Sequence, residues 1–410
     1  LVTDGGVGRA SVLPRLAAPR SFVVPPPRPG RQVRHRLRYA WDNSDAAVLR
    51  RARAWWDGTT LRRQPHVLST APPALSIGYA GVPQGLPNVL SLLELQRSRI
   101  TDAPAARSET RMRLSPASIR RPDFDPDLVL VGGSARRVAA LPRDAAIVMP
   151  LRVHLVVDVP ADLTTLRQSI SKRERSYFNA RRAEHGWRLS VRDDDETFDF
   201  FYRRMHVPTM HARHAEHARS ERSEVARDAI LARGAVFLVE DETGPVAGAL
   251  CLWQPRDRTL TTRLLGVLDG SSEHYESGAF KAVYHLLLEW AVEHHVRHVD
   301  LHGTESFVSK GIFQWKRRLH PRVALPPNHF AHKRLWMQVR HDAPEVRSFL
   351  VDNPTLAFTE GGQLEAVYFF DRDRAPRTDL DATCHGVAGR RLVDLDEFLD
   401  GHAPGRHDEG

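Results

Sequence analysis

Cysteine is nearly absent. Cys251 and Cys384 are the only two in 410 residues, and they lie far apart in the sequence. Two distant thiols exclude a disulfide framework and a CxxC redox site, and a reducing cytoplasm fits them. No run reaches the ~18–20 continuous apolar residues of a membrane span, and the N-terminus lacks the charged, apolar, small-residue pattern of a secretory signal. A GxxxxGK[ST] phosphate loop is missing, which argues against ATP-driven ligation and implies a donor that arrives already activated. The G-x-S-x-G elbow of serine hydrolases is missing too.

What is present is a large basic chain. An apolar fraction of 41% at this length supplies about two cores plus tails. Lys and Arg total 59 against 50 acidic residues, giving a net charge of +9 and a pI near 10.0. That balance suits a polyanionic partner such as RNA, a phosphorylated carrier or a cofactor pyrophosphate. Arginine far outnumbers lysine, so a biased composition that merely keeps the surface solvated explains the charge as well.

Residues 1–35 contain VVPPPRPGRQ and little apolar periodicity, the pattern of a disordered arm. A first domain spans 36–160. In it, DLVLVGG reads as a strand closed by glycines, SARRVAAL as a short helix, and AAIVMPLRVHLVVDV as one or two buried strands. A second domain spans 161–325. It opens on one helix, LTTLRQSISKRERSYFNARRAEHG, stopped by Gly186, with Leu166, Ile170 and Tyr177 inward and Lys172, Arg175, Asn179 and Arg182 on a basic ridge. The strands GAVFLVED, PVAGALCLWQ and LTTRLLGVLD follow with tight turns between them. The helix AFKAVYHLLLEWAVEHH comes next, burying Phe280, Val283, Leu287 and Ala291; then a short strand at Val299-Asp300-Leu301 and a helix FVSKGIFQWKRRL. An antiparallel meander leading into a β-α-β crossover predicts an α/β (α+β) sheet domain. Residues 326–410 read as an extension with a strand at QLEAVYFF.

Three segments carry a family resemblance: HLVVDVPADLTTLRQSISKRERSYFNARRAEHGWRLSV, VFLVEDETGPVAGALCLW and VRHVDLHGTESFVSKGIFQWKRRLHP. In order and spacing they resemble the FemAB-like branch of the GNAT acyltransferases, across about residues 150–325. The resemblance implies two tandem GNAT-like domains, the first degenerate. It implies a transferase that forms an amide bond by moving an aminoacyl group from aminoacyl-tRNA to an amine of a small-molecule or peptide-like acceptor. No permanently bound cofactor is expected. An acyl-CoA N-acyltransferase is the alternative, and a noncatalytic RNA- or peptide-binding protein on a GNAT scaffold is a second. GNAT enzymes that use CoA carry a glycine-rich turn before the helix that follows the third strand, where backbone N–H groups hold pyrophosphate. Here that junction reads DGSSEHYESGAFK, with Glu273 and Glu276 placed to repel phosphate and Gly278 alone at the helix start. This departure favours tRNA over CoA as the donor.

By that resemblance Lys316 lies near the donor ester, with Asp300, His302 and Glu305 flanking the end of the last core strand as further catalytic candidates. Phe313 or Trp315 would stack on a terminal base, while Lys172, Arg175 and Arg182 would track phosphates. His211, His214 and Tyr275 would meet the acceptor. The cluster His206, His211, His214 and His217 invites a metal, but its spacing does not put three imidazoles on one helix face and no cysteine completes a zinc set, so no metal is expected.

Overall fold

The computed structural model describes residues 31–58, 63–99, 103, 105–214 and 220–400. Sixteen strands are described: β1 Gln64–Ala71, β2 Ala74–Gly81, β3 Ala106–Met112, β4 Leu128–Ser134, β5 Ala146–Pro150, β6 Val153–Asp158, β7 Arg188–Arg192, β8 Gly234–Asp241, β9 Gly244–Gln254, β10 Thr259–Val267, β11 His298–Thr304, β12 Arg322–Ala324, β13 Lys333–Val339, β14 Thr355–Phe358, β15 Leu364–Phe370 and β16 Val387–Asp394. They form a six-stranded sheet of order β3-β1-β2-β4-β13-β5, a seven-stranded sheet of order β12-β6-β11-β10-β9-β8-β7, and a small sheet β14-β15-β16. No helix among the described residues is long and apolar enough to cross a membrane.

One module recurs in both large sheets. The antiparallel hairpin β1–β2 is followed by a helix Ser91–Arg97 and by β4, parallel to β2. The hairpin β9–β10 is likewise followed by the helix Ala279–Glu293 and by β11, parallel to β10. This is the tandem GNAT-like arrangement expected from the sequence. AAIVMPLRVHLVVDV is indeed two strands, and they belong to different sheets: β5 closes the first and β6 enters the second.

Three expectations change. The sequence treats residues 326–410 as an extension, yet β13 sits between β4 and β5 and completes the first sheet. Its run Leu335–Val339 is buried because both of its edges and both of its faces are covered. The single helix expected after Pro160 is two, Leu163–Ser169 and Lys172–His185. Ile170 takes an extended conformation there, and the Ser171 N–H, instead of continuing the helix, donates to the Arg318 carbonyl at 2.9 Å. Ser171 then caps the second helix, and Gly186, at φ 64°, ends it as the sequence indicates. Residues 31–35, assigned to the arm, begin the helix Arg31–Asn43, while residues 1–30 lie outside the described residues.

The seven-stranded sheet has a core on each face. On one, Leu155, Val157, Phe237 and Ala249 pack against Val283, Leu287 and Ala291 of the long helix and against Phe313. On the other, Val236, Leu250 and Leu264 meet Phe198, Phe201 and Met205. Phe280 stays half-exposed at the start of the long helix rather than inside it. The N-terminal helix lies against this second sheet, not the first: His35 bonds Asp228 at 2.6 Å, and Tyr39 joins the second core.

Candidate active site

β10 and β11 pair for only three residues, Thr259↔His298 to Thr261↔Asp300, and then part. Two irregularities drive the divergence. β10 bulges between Thr262 and Leu264 against β9, and β11 bulges between Asp300 and Gly303 against β6. At the second bulge His302 adopts φ 68°, a left-handed conformation that costs a non-glycine residue about 1 kcal/mol. Asp300 holds it there, one carboxylate oxygen accepting the His302 N–H at 2.8 Å. The side chain of His302 is thereby turned across the gap toward β10, where Arg263 donates to its Nε2 at 2.9 Å.

Around this bulge the chain gathers titratable groups that apolar packing alone would exclude. Asp300, Glu305, His154 and Lys316 are all buried. His154 Nδ1 donates to the other Asp300 oxygen at 2.7 Å, which turns Nε2 away from that carboxylate. Gly303 has to be glycine here, since a Cβ would lie 2.9 Å from His154 Nε2 and 3.2 Å from Arg152 Nε. Lys316 Nζ donates to the Leu301 carbonyl at 2.5 Å and sits 5.4 Å from the Tyr284 ring centroid. Lys310 pairs with Glu305, and Arg152 donates to the Gly303 carbonyl at 3.0 Å.

The electrostatics follow from burial and neighbours. Burial lowers the Lys316 ammonium to about 7; Asp300 opposes that shift, while Lys310 and Arg152 reinforce it. Burial and then the charge on Arg263 hold His302 well below the ordinary histidine value, so its imidazole is neutral. For Asp300 burial pushes upward, but His154, the His302 N–H and Lys316 outweigh it and the carboxyl falls below its usual value. Glu305 behaves in the same way, with Lys310 and Arg152 winning over burial. The outcome is a carboxylate–imidazole pair, a neutral histidine and an amine that exchanges its proton near neutrality, all at one opening in a sheet.

The four catalytic candidates of the sequence therefore converge. His154, Arg152 and Arg263 join them without having been singled out. The signal for His154 was available: it is the one polar residue inside VHLVV. Other candidates behave differently. Phe313 is fully buried in the core and cannot stack on a base, because its ring is committed to packing beneath the sheet. Trp315 is half-exposed, with its ring N–H donating to Glu174 at 3.0 Å. The basic ridge is largely tied down. Arg182 pairs with Glu289 at 2.7 Å, and Arg175 donates to the Arg167 carbonyl at 2.5 Å, while Lys172 remains exposed. His211 is exposed, and the His214 side chain and His217 lie outside the described residues. Tyr275 stacks on Phe280 at 4.8 Å, with Arg213 3.5 Å over its ring.

Two features bear on the donor. Past the bulge, the edge of β10 that does not face β9 is already occupied. Val267 N–H donates to Thr209 Oγ1 at 2.8 Å, Thr209 donates back to the Val267 carbonyl at 3.2 Å, and His206 Nδ1 donates to the Leu265 carbonyl at 2.8 Å. The segment Phe201–His214 thus fills the edge along which an extended ligand would otherwise pair. A short helix, Ser272–Glu276, leads into the long one: Ser277 N–H donates to the Glu273 carbonyl and Gly278 N–H to that of Tyr275, and Gly278, at φ 94°, is the N-cap of the long helix with no side-chain cap bond.

No family model and no curated protein matches the sequence. Solved structures do. FemX is 10% identical, with 67% of this chain and 83% of that chain covered and a TM-score of 0.35. L-PGS from Bacillus licheniformis is 12% identical over 70% of this chain and 84% of that one, at a TM-score of 0.33. A GCN5-related N-acetyltransferase from Sphaerobacter thermophilus is 13% identical over 75% and 90%, at 0.27. Similarities this low leave function to be argued from the site itself.

Proposed function

We propose that this protein is a FemAB-like, GNAT-type transferase that forms an amide bond by moving an aminoacyl group from aminoacyl-tRNA to an amine. The observation that carries the proposal is the cluster of buried Lys316, Asp300 and His154 with half-buried His302 and Arg263 at the point where β10 and β11 part. Aminolysis of an ester needs a neutral attacking amine, a stabiliser for the oxyanion and a route for one proton. In this proposal the acceptor amine attacks the ester carbonyl, and its proton passes to His154 Nε2, which Asp300 orients through Nδ1. Lys316, poised near neutrality, meets the charge that develops as the carbon–oxygen bond to the ribose breaks and returns a proton to the departing oxygen. Trp315, whose partly exposed ring lies 5.0 Å from that of Tyr284, which Lys316 also faces, is the surface proposed for the terminal base.

The choice of tRNA over CoA draws on the filled edge of β10 and on the acidic Glu273 and Glu276 just before the start of the long helix. The edge is taken by the chain's own Thr209 and His206 side chains. The test is a transfer assay with a charged-tRNA mixture and a panel of acyl-CoAs, read by mass change of candidate amines. The expected result is product from charged tRNA, abolished by ribonuclease treatment of the donor. Product from acyl-CoA with no response to ribonuclease would replace this reading by an acyl-CoA N-acyltransferase, and no turnover with any activated donor by a noncatalytic binding protein.

A further inference from the structure

Two helices open the described part of the chain, Arg31–Asn43 and Ala47–Gly58, joined by residues 44–46. Each commits one side to the fold. In the first, Tyr39 joins the core over the second sheet, and Arg36 donates to the Asp228 carbonyl at 2.9 Å. In the second, Asp57 accepts from buried Lys333 at 2.6 Å. The outward sides are unusually apolar. Of the seven large apolar side chains that stand exposed among the described residues, five lie on these two helices, among them Leu37 at 65%, Val48 at 79% and Trp55 at 71%. One exposed leucine needs no explanation, but such a concentration marks a contact surface.

The arginines on the same sides indicate what is contacted. Val33 and Leu37 form one row along the first helix, with Arg34 and Arg38 in the row beside it; on the second, Val48, Arg51 and Trp55 share a face by spacings of three and four. Arg34, Arg38 and Arg51 are exposed, and none has a carboxylate partner among the described residues. Residues 31–58 hold seven arginines against three acids, and residues 1–30 hold four arginines and one acid, so the preceding segment does not bring the missing negative charge. We propose that this face docks the protein on an anionic lipid surface, its apolar side chains entering the boundary between headgroups and acyl chains and its free arginines meeting anionic headgroups. Arginine suits that place because its stem lies along apolar surface while the guanidinium stays with the headgroups. An RNA would take the arginines and the indole but leave Val33, Leu37 and Val48 in water. A second copy would set the same unpaired arginines against each other. The assignment does not rest on the transfer reading, and none of these residues belongs to the candidate active site.

The test is co-sedimentation of the full chain with vesicles of equal parts phosphatidylserine and phosphatidylcholine, and with vesicles of phosphatidylcholine alone. Binding is expected to the anionic vesicles, weakening as salt rises, with little to the neutral ones. Arg34→Gln and Arg51→Gln should each weaken it about fivefold. Arg372→Gln, the same loss of charge at a side chain 85% exposed just after β15, should leave it unchanged. Trp55→Ser keeps every charge and should weaken binding roughly tenfold; Leu37→Ser should act in the same direction. All the substituted side chains are exposed, so folding is not at risk. Equal binding to both kinds of vesicle overturns the proposal. So do serine variants that bind as wild type does, which would reduce the effect to net charge, and arginine variants that behave as Arg372→Gln does. Two further results also overturn it in the absence of vesicle binding: a dimer that Leu37→Ser dissociates, which makes the face a self-association surface, or a single-stranded RNA hexanucleotide whose binding the arginine variants weaken, which makes it an RNA site.

Discussion

Substituting methionine for Lys316 removes a charge from a side chain that is 6% exposed while keeping its length and most of its packing. Lowering the ammonium from 10.5 to about 7 corresponds to on the order of 5 kcal/mol, at ~1.36 kcal/mol per unit. Because the folded value lies below the unfolded one, the unfolded chain binds the extra proton between about pH 7 and 10.5. Stability contributed by this group therefore rises with pH across that window, and the full cost of burying the charge is present below it. Methionine escapes that cost but leaves the Leu301 carbonyl without its donor, a loss of ~1–3 kcal/mol. The net expectation is that Lys316→Met is more stable than wild type by ~2–4 kcal/mol at pH 6, that the difference shrinks as pH rises, and that it reverses between about pH 8 and 10. Urea unfolding of both proteins at pH 6, 8 and 9.5 measures it. A difference independent of pH, or a methionine variant less stable than wild type at pH 6, would refute the placement of a costly buried ammonium at this point. Transfer activity should be lost in the same variant, so that stability and activity move in opposite directions, as at many functional sites.

Further outcomes follow from other contacts. Lys333→Ala removes the ammonium 2.6 Å from the buried Asp57 carboxylate and leaves it Arg53 at 3.5 Å; chemical denaturation should show a loss of ~3 kcal/mol, the low end for a broken buried pair. Thr209→Val strips the buried Val267 N–H of its acceptor, costing ~1–3 kcal/mol by the same measurement. Gly81→Ala, at φ 126°, would place a Cβ 1.9 Å from the Gly132 carbonyl oxygen, and thermal melting should show one of the largest losses of any single change in the first sheet.

The second domain was legible because its signals are local. Period-two runs separated by ETG and PRDR turns identify β8, β9 and β10, and the apolar stripe of AFKAVYHLLLEWAVEHH identifies the long helix. Lys316, Asp300, His302 and Glu305 fall within a short stretch of sequence, so their convergence could be anticipated. Arg263 comes from β10, His154 from β6 and Arg152 from the link before β6, and nothing local announces that a pair of bulges will bring them to one gap. The break at Ile170 was hidden because its partner, the Arg318 carbonyl, is far away in sequence. The first domain resisted for the same reason on a larger scale: one of its interior strands arrives only after the second sheet is finished. The first domain also shows why its own parallel pair is no site. β2 and β4 stay paired for five residues, and the Tyr79 phenol, donating to Val82 at 2.6 Å, fills the space beside Gly132 that would otherwise open.

The late arrival of β13 has a consequence for synthesis. All seven strands of the second sheet lie between residues 153 and 324, so that sheet can close as soon as its own segment has emerged from the ribosome. The first sheet, although made earlier, waits with the edges of β4 and β5 unpaired until residues 333–339 are available. Open edges of apolar strands are where misassembly starts. The half of the protein that is translated first is thus the half that finishes folding last, and its yield depends on how fast the ribosome delivers the other.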